Sequence, residues 1–232
     1  MNYYYHPNPS SDLVLNGEES AHAIKVLRKK IGDIIHLMDG QGSAYEAKIS
    51  EANHRSCKFE IISAESHPAP SVRTHIAIAP TKNIDRIEWF VEKSCELGVS
   101  HISIIETTRT ERAKVNLERL EKKAISAMKQ SKSFWKCKID ALIPFKELIK
   151  EPISGQKFIA FVQTGQEESL QRLAHPAMDC VVLIGPEGDF THDEVRAAQN
   201  QGYQPVSLGK NILRTETAGV IAAHTINLVN ER

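Results

Sequence analysis

The sequence contains no apolar run long enough to span a bilayer, which takes about 20 residues as a helix. Its first residues, MNYYYHPNPSSD, carry neither the basic start nor the apolar stretch of a secretory signal. A cytoplasmic protein with no membrane partner is expected. Cysteine is sparse: Cys57, Cys95, Cys137 and Cys180 stand far apart and form no C-x-x-C pair. That spacing indicates neither a zinc site nor a redox pair, and a disulfide framework is foreign to this size class, so the thiols read as buried and no metal is expected. Net charge is also absent, with 29 Lys and Arg against 29 Asp and Glu, so any polyanion partner must be sought in local patches. There is no internal repeat and no low-complexity segment. Phosphate cradles are missing too: no G-x-G-x-x-G occurs, and the Gly209–Lys210 pair lacks both the upstream glycine and the following Ser or Thr of a P-loop.

What remains is ordinary for a soluble globular chain: 232 residues, 41% hydrophobic and 25% charged, enough to bury a real core. Residues 1 to about 70 read as a small β-rich unit. Within it, Glu18 to Lys30 has helical spacing, Asp33 to Asp39 reads as a strand, and Ala44 to Ile49 and Cys57 to Ile62 follow as further strands. Ser63 to Ser71, with two prolines and no apolar periodicity, is the linker candidate. From Val72 onward strands alternate with helices, the rhythm of βαβ units around a mostly parallel sheet. Strands are expected at 76–79, 101–105, 158–162, 181–184 and 206–208, and helices at 84–97, from an Asn116 cap onward, and at about 166–174, 192–201 and 216–230. The domains are therefore 1–70 and 73–232.

One stretch is strongly basic: from Arg109 to Lys138 ten basic residues stand against three acidic ones, with Phe134 and Trp135 among them. Cations interleaved with stacking surfaces suit nucleic acid; a solvated helix face beside a core aromatic pair is the competing reading. A second, weaker cluster spans Lys25 to Lys30 and includes Arg28, Lys29 and Lys30. The candidate RNA contacts are these three with Arg109, Arg112, Lys129, Lys132 and Lys136.

Two stretches carry the chemistry. LIGPEGDF at 183–190 has a strand, a glycine turn and a helix start, in which Thr191 and Glu194 can form a capping box and Phe190 and Val195 a hydrophobic staple. Glu187 sits where a pyrophosphate would need donors, so the turn suits a neutral or cationic ligand. LGKNILRTETA at 208–218 places Arg214, Thr215, Glu216 and Thr217 at the start of the last helix. Thr215 or Thr217 can cap it, Glu216 complements its positive end, and Arg214 offers a fixed donor fork to an anion or polarised carbonyl. His22, His101, His192 and His224 read as structural.

IGPEG at 184–188, followed by LG at 208–209 and ILRTETA at 212–218, closely resembles the paired signature of the RsmE family, the 16S ribosomal RNA uridine-N3 methyltransferases of the SPOUT class. HAIKVLRKKIGDII at 22–35, PTKNIDRIEWFVEKSCELGV at 80–99 and AMKQS at 127–131 extend the resemblance over most of the chain. It implies an α/β C-terminal domain with a parallel sheet and a deep trefoil knot, a PUA-like N-terminal β-barrel, and a homodimer. It also implies S-adenosylmethionine at Leu183, Gly185, Pro186, Glu187, Gly188, Leu208, Gly209, Ile212, Leu213, Arg214, Thr217 and Ala218, some through backbone atoms. Arg214 and Glu216 are the catalytic candidates, and the partner is 16S rRNA or the assembled small subunit. The alternatives are a SPOUT 2′-O-ribose methyltransferase and a non-catalytic RNA-binding protein. This sequence has Asp189 where the family commonly continues with glycine, and Lys132 near the Gln-Ser pair where it often has arginine.

Overall fold

The computed structural model describes residues 2–111, 114–161 and 167–231. They group into two compact units, one built from Met1–Ala69 and Ile125–Lys136, the other from Pro70–Ala124 and Cys137–Arg232.

The first unit is a four-stranded sheet, β1 (Tyr3–Tyr5), β2 (Ile34–Met38), β3 (Ser43–Glu51) and β4 (Lys58–Ser66), in that spatial order. β1 runs parallel to β2 and the remaining pairs are antiparallel. Tyr4, Leu15, Ala23, Ile35, Leu37, Ala47, Ile49, Cys57 and Phe59 form its core. The helix expected to reach Lys30 is shorter: α1 (Gly17–Ala21), capped by Asn16, passes into one π-helical turn at His22–Val26. Arg28, at φ 53°, turns the chain away. β4 runs through Ser66, so the first residues of the expected linker are strand, satisfied by pairing with β3.

Residues 125–136 join this unit through specific contacts. Lys129 Nζ lies 2.6 Å from Oε1 of the buried Glu19. Phe134 stacks on His67 at 3.7 Å and 5°. Trp135 Nε1 donates to the Pro68 carbonyl at 2.9 Å, and its ring lies where a Cβ on Gly42 would stand.

The second unit is a six-stranded, wholly parallel sheet. Its strands are β5 (Thr74–Ile78), β6 (His101–Glu106), β7 (Lys138–Pro144), β8 (Gln156–Ala160), β9 (Cys180–Ile184) and β10 (Gln204–Val206), in spatial order β10-β8-β9-β5-β6-β7. β5 and β9 are buried at every position, as expected of central strands covered on both faces. The helices are α2 (Ile84–Glu96), α3 (Leu117–Ser131), of which 125–131 belong to the first unit, α4 (Phe145–Leu148), α5 (Leu170–Leu173), α6 (His192–Asn200) and α7 (Thr215–Asn230). The Asn116 side chain caps α3 by accepting the Arg119 N–H at 3.1 Å.

The chain builds outward from β5 to β7 and then crosses to β8, so β5 and β9 meet where the direction of winding reverses. In open α/β sheets ligands bind beyond the carboxyl ends of the strands at such a point. α7 packs against α2 closely enough that a Cβ on Gly219 would run into the ring of the buried Phe90. Among the described residues no helix is long and apolar enough to cross a membrane.

Candidate active site

The first loop leaves β9 at the reversal point. Leu183 is fully buried in the core, so only its backbone is available to a ligand. Gly185 and Pro186 are buried, while Glu187, Gly188 and Asp189 are exposed. The Asp189 N–H closes the turn on the Pro186 carbonyl at 2.9 Å. Asp189 itself lies at φ 60° and accepts the Phe190 N–H on Oδ1 at 2.8 Å. That local bond lets an aspartate occupy the left-handed region glycine would enter freely.

Several groups hold the turn. A Cβ on Gly185 would come within 3.1 Å of the Phe190 ring and 3.2 Å of Asp189 Oδ1, so only glycine fits without movement. The Lys82 N–H donates to Glu187 Oε1 at 3.0 Å, and the Arg109 guanidinium to the Gly188 carbonyl at 2.5 Å. Downstream, Thr191 and Glu194 make the reciprocal capping box, and Phe190 and Val195 are buried in one cluster. Glu194 also accepts the Thr108 N–H at 2.7 Å. Burial alone would push its carboxyl up, but the hydrogen bonds from Thr191 and Thr108 prevail and hold it below the usual range.

The second loop joins β10 to α7. Ser207 Oγ accepts the Gly209 N–H at 3.2 Å. Leu208 and Leu213 are half-buried, Gly209 is exposed, and the Ile212 side chain is wholly exposed, at 103%. α7 starts at Thr215 with Arg214 at its cap position and no side-chain cap. The expected Thr215 or Thr217 cap is therefore not formed, because Thr215 is already helical and buried. The helix opens with its backbone donors facing the loop.

Glu216 is 7% exposed. Its Oε1 lies 3.7 Å from Arg86 Nε, and its buried Oε2 has no hydrogen-bond partner among the described residues. A carboxylate oxygen taken out of water without a donor is costly, and such atoms concentrate at functional sites. Asp85, Arg86 and Trp89 of α2 and Arg214, Glu216 and Thr217 of α7 line an open cleft of ≈ 510 Å³ here. Among the described residues no group of three or more His, Cys, Asp or Glu could hold a metal ion.

An RNA methyltransferase domain model matches residues 67–227, which contain the sheet and both loops, and an RNA methyltransferase PUA domain model matches 15–62. The chain belongs to the ribosomal RNA small subunit methyltransferase E family. The member from Synechocystis is 30% identical over 89% of this chain and 70% of its own length. A probable rRNA-methyltransferase from Porphyromonas gingivalis has a similar crystal structure, with TM-score 0.94 and 39% identity over 100% of this chain and 99% of the other. The methyltransferase E of Neisseria gonorrhoeae, solved bound to S-adenosyl methionine, is 28% identical with TM-score 0.88, covering 99% and 98% of the two chains.

In this member of the methyltransferase E family the basic residues divide. Arg112 lies outside the described residues. Arg28, Lys30 and Lys132 are exposed. Lys29 is half-buried and donates to the Ile34 carbonyl at 2.9 Å. Lys136 is half-buried, with its backbone N–H on the Gly40 carbonyl. Two expected RNA contacts are engaged by other groups of the protein. Arg109 props the glycine turn, and Lys129 neutralises the buried Glu19, which would otherwise be an uncompensated buried charge. Phe134, read as a stacking surface, is occupied by His67.

Arg86 and Trp89 were not singled out by sequence reasoning. The signal was present in the IDRIEWF run: an arginine and a tryptophan one turn apart, outside the apolar stripe of Ile84, Ile87, Val91 and Cys95. Only the packing of α2 against α7 gives those positions a partner.

Proposed function

We propose that the chain is an S-adenosylmethionine-dependent methyltransferase acting on N3 of a uridine in small-subunit ribosomal RNA. The observation that carries this reading is the buried Glu216 carboxylate with an open oxygen, at the head of α7 beside Arg214. Uracil N3 must lose a proton to become a strong nucleophile. The Glu216 carboxylate accepts it, and the Arg214 guanidinium stabilises the anion at a carbonyl oxygen.

The loops suit the cofactor. A glycine turn in which a Cβ would crowd its neighbours brings backbone close to a ligand, and the bare Ile212 side chain offers apolar surface to an adenosyl group. The turn of Leu183, Gly185, Pro186, Glu187 and Gly188, with Leu208, Gly209, Ile212, Leu213, Arg214, Thr217 and Ala218, would hold it. When bound, S-adenosylmethionine supplies an electrophilic methyl on sulfonium, whose carbon–sulfur bond breaks as the nitrogen–carbon bond forms, the electron pair staying on sulfur. We further read the loops as the crossing of a deep trefoil knot, the first unit as a PUA-like barrel that holds RNA, and the protein as a cytoplasmic homodimer.

The deciding experiment is Arg214→Ala, assayed by methyl transfer to small-subunit RNA with S-adenosylmethionine binding followed by calorimetry and the product nucleoside identified. The expected result is a fall in kcat of at least tenfold and 3-methyluridine as the wild-type product. Full activity in the variant would remove Arg214 from the mechanism. A 2′-O-methylated product would overturn the choice of N3.

A further inference from the structure

The cleft beside the cofactor loops has a wall that the two signature loops do not supply. Trp89 is 43% exposed and lines this cleft. Arg86, three residues before it, lies on the same side of α2 and reaches Glu216. The neighbouring acids of α2 are already engaged, Glu88 and Asp85 both by Arg119. Arg86 is thus the α2 cation directed at the Glu216 carboxylate, whose second oxygen stays open.

Resting on the uridine reading above, we propose that this cleft is the subsite for the reacting base. Trp89 is its stacking wall, and Arg86 donates to one uracil carbonyl while it steadies Glu216. The chemistry of the wall matches that of the base. Along its pairing edge uracil presents acceptor, donor, acceptor (O2, N3–H, O4). The cleft presents cation, acceptor, cation: Arg86, the Glu216 carboxylate and Arg214.

The proton on N3 passes to the Glu216 carboxylate and leaves through the open mouth of the cleft, while the N3 lone pair takes the methyl. Cytosine would set an unprotonated N3 against the carboxylate, two acceptors facing each other, and is rejected by an unpaired buried polar group rather than by size. An indole face binds any base, so Trp89 provides affinity and the polar triplet provides selectivity.

The test uses the full-length protein with Trp89→Ala, Trp89→Phe, Arg86→Ala and Arg86→Lys, assayed for methyl transfer to small-subunit RNA. S-adenosylmethionine affinity and oligomeric state are measured alongside. Because Trp89 is 43% exposed and is not among the buried hydrophobic residues of the core, its truncation opens no core cavity. Trp89→Ala is expected to lower kcat/KM for RNA at least tenfold, chiefly through KM, with cofactor affinity within twofold of wild type, and Trp89→Phe to restore most of it. Arg86→Ala is expected to lower kcat, with Arg86→Lys recovering only part. Independently of turnover, a short uridine-containing oligoribonucleotide should quench a fluorescence component that Trp89→Phe lacks.

A Trp89→Ala protein that keeps kcat/KM within twofold overturns the proposal. So does one that loses its dimer while methylating normally, which would assign the indole to contact between copies. If the wild-type protein makes no 3-methyluridine, the uridine reading itself fails and the subsite falls with it; if Trp89→Ala makes it at the wild-type rate, only the subsite fails.

Discussion

Gly219 sits in α7 with its hydrogen facing the ring of Phe90, and an added Cβ would strike that ring and approach Ile78 Cδ1 to 3.1 Å. Two effects of opposite sign meet there. Alanine raises helix propensity by about 1 kcal/mol over glycine, while forcing a methyl into a packed core costs about 1–3 kcal/mol. Phe90 and Ile78 are both 0% exposed and have nowhere to move, so overpacking wins. Gly219→Ala should be less stable by up to about 2 kcal/mol, readable as a lower urea midpoint with unchanged m-value; a more stable variant would mean that Phe90 can swing aside. The same scale accounts for Asp189, at φ 60°. Asp189 adopts the left-handed conformation glycine would take and satisfies itself through Phe190. Its tolerance there could not be read from spacing, which carries no dihedral.

At the scale of elements, the start of α6 is where local sequence spoke most plainly. The Thr191–Glu194 box and the Phe190–Val195 staple are both formed, since each needs only residues within one turn. What local sequence could not give is the second acceptance by Glu194, of the Thr108 N–H arriving from the loop after β6. Thr191→Ala removes one cap and should cost about 1 kcal/mol. Glu194→Ala strands donors on two separate loops and should cost about 2–3 kcal/mol in the same urea titration. It should also weaken S-adenosylmethionine binding, because the turn at 185–189 loses the anchor behind it. Equal losses for the two variants would show that the Thr108 bond contributes little. β7 escaped sequence reasoning for a related reason. Its Lys138 and Asp140 lie among polar partners at the sheet's edge strand, so Lys138–Pro144 read as the tail of a basic stretch. Likewise, residues 125–136 read as helix and basic surface, although Phe134, Trp135 and Lys129 are committed to partners more than 60 residues away in sequence.

For the molecule as a whole, the order of strands and helices, β1, β7 and α4 apart, and both signature loops were legible because each is a contiguous stretch with its own periodicity. The third wall of the site was not, because α2 meets α7 only after the sheet has assembled. The same long-range assembly builds a polar network across β5, β6 and β7. His75 stacks on His101 at 3.8 Å and shares a 2.8 Å hydrogen bond with Ser103 Oγ. Ser103 Oγ donates to Asp140 Oδ2 at 2.8 Å, and His101 Nε2 lies 2.5 Å from the same oxygen. Burial, and then the neighbouring His101, lower His75 from 6.5 to about 3. For Asp140 burial acts upward, but hydrogen bonds from Lys138, Ser103 and His101 prevail and bring it from 3.8 to about 2. The two groups act in separate windows. A histidine held neutral by the fold is protonated more readily in the unfolded chain, so its contribution is complete above about pH 6.5 and is lost as pH falls from there toward 3. The aspartate's contribution is complete above about pH 4 and is lost between there and 2. Between pH 7.5 and pH 5 only the histidine acts. Linkage there amounts to about 2 kcal/mol of lost stability, 1.5 pH units below the unfolded value at roughly 1.4 kcal/mol per unit. Urea unfolding of the wild-type protein at the two pH values, compared with His75→Gln, measures it. The variant should be less stable at pH 7.5 but should lose about 2 kcal/mol less on going to pH 5, and identical pH dependence in the two proteins would mean that His75 titrates freely in the folded state.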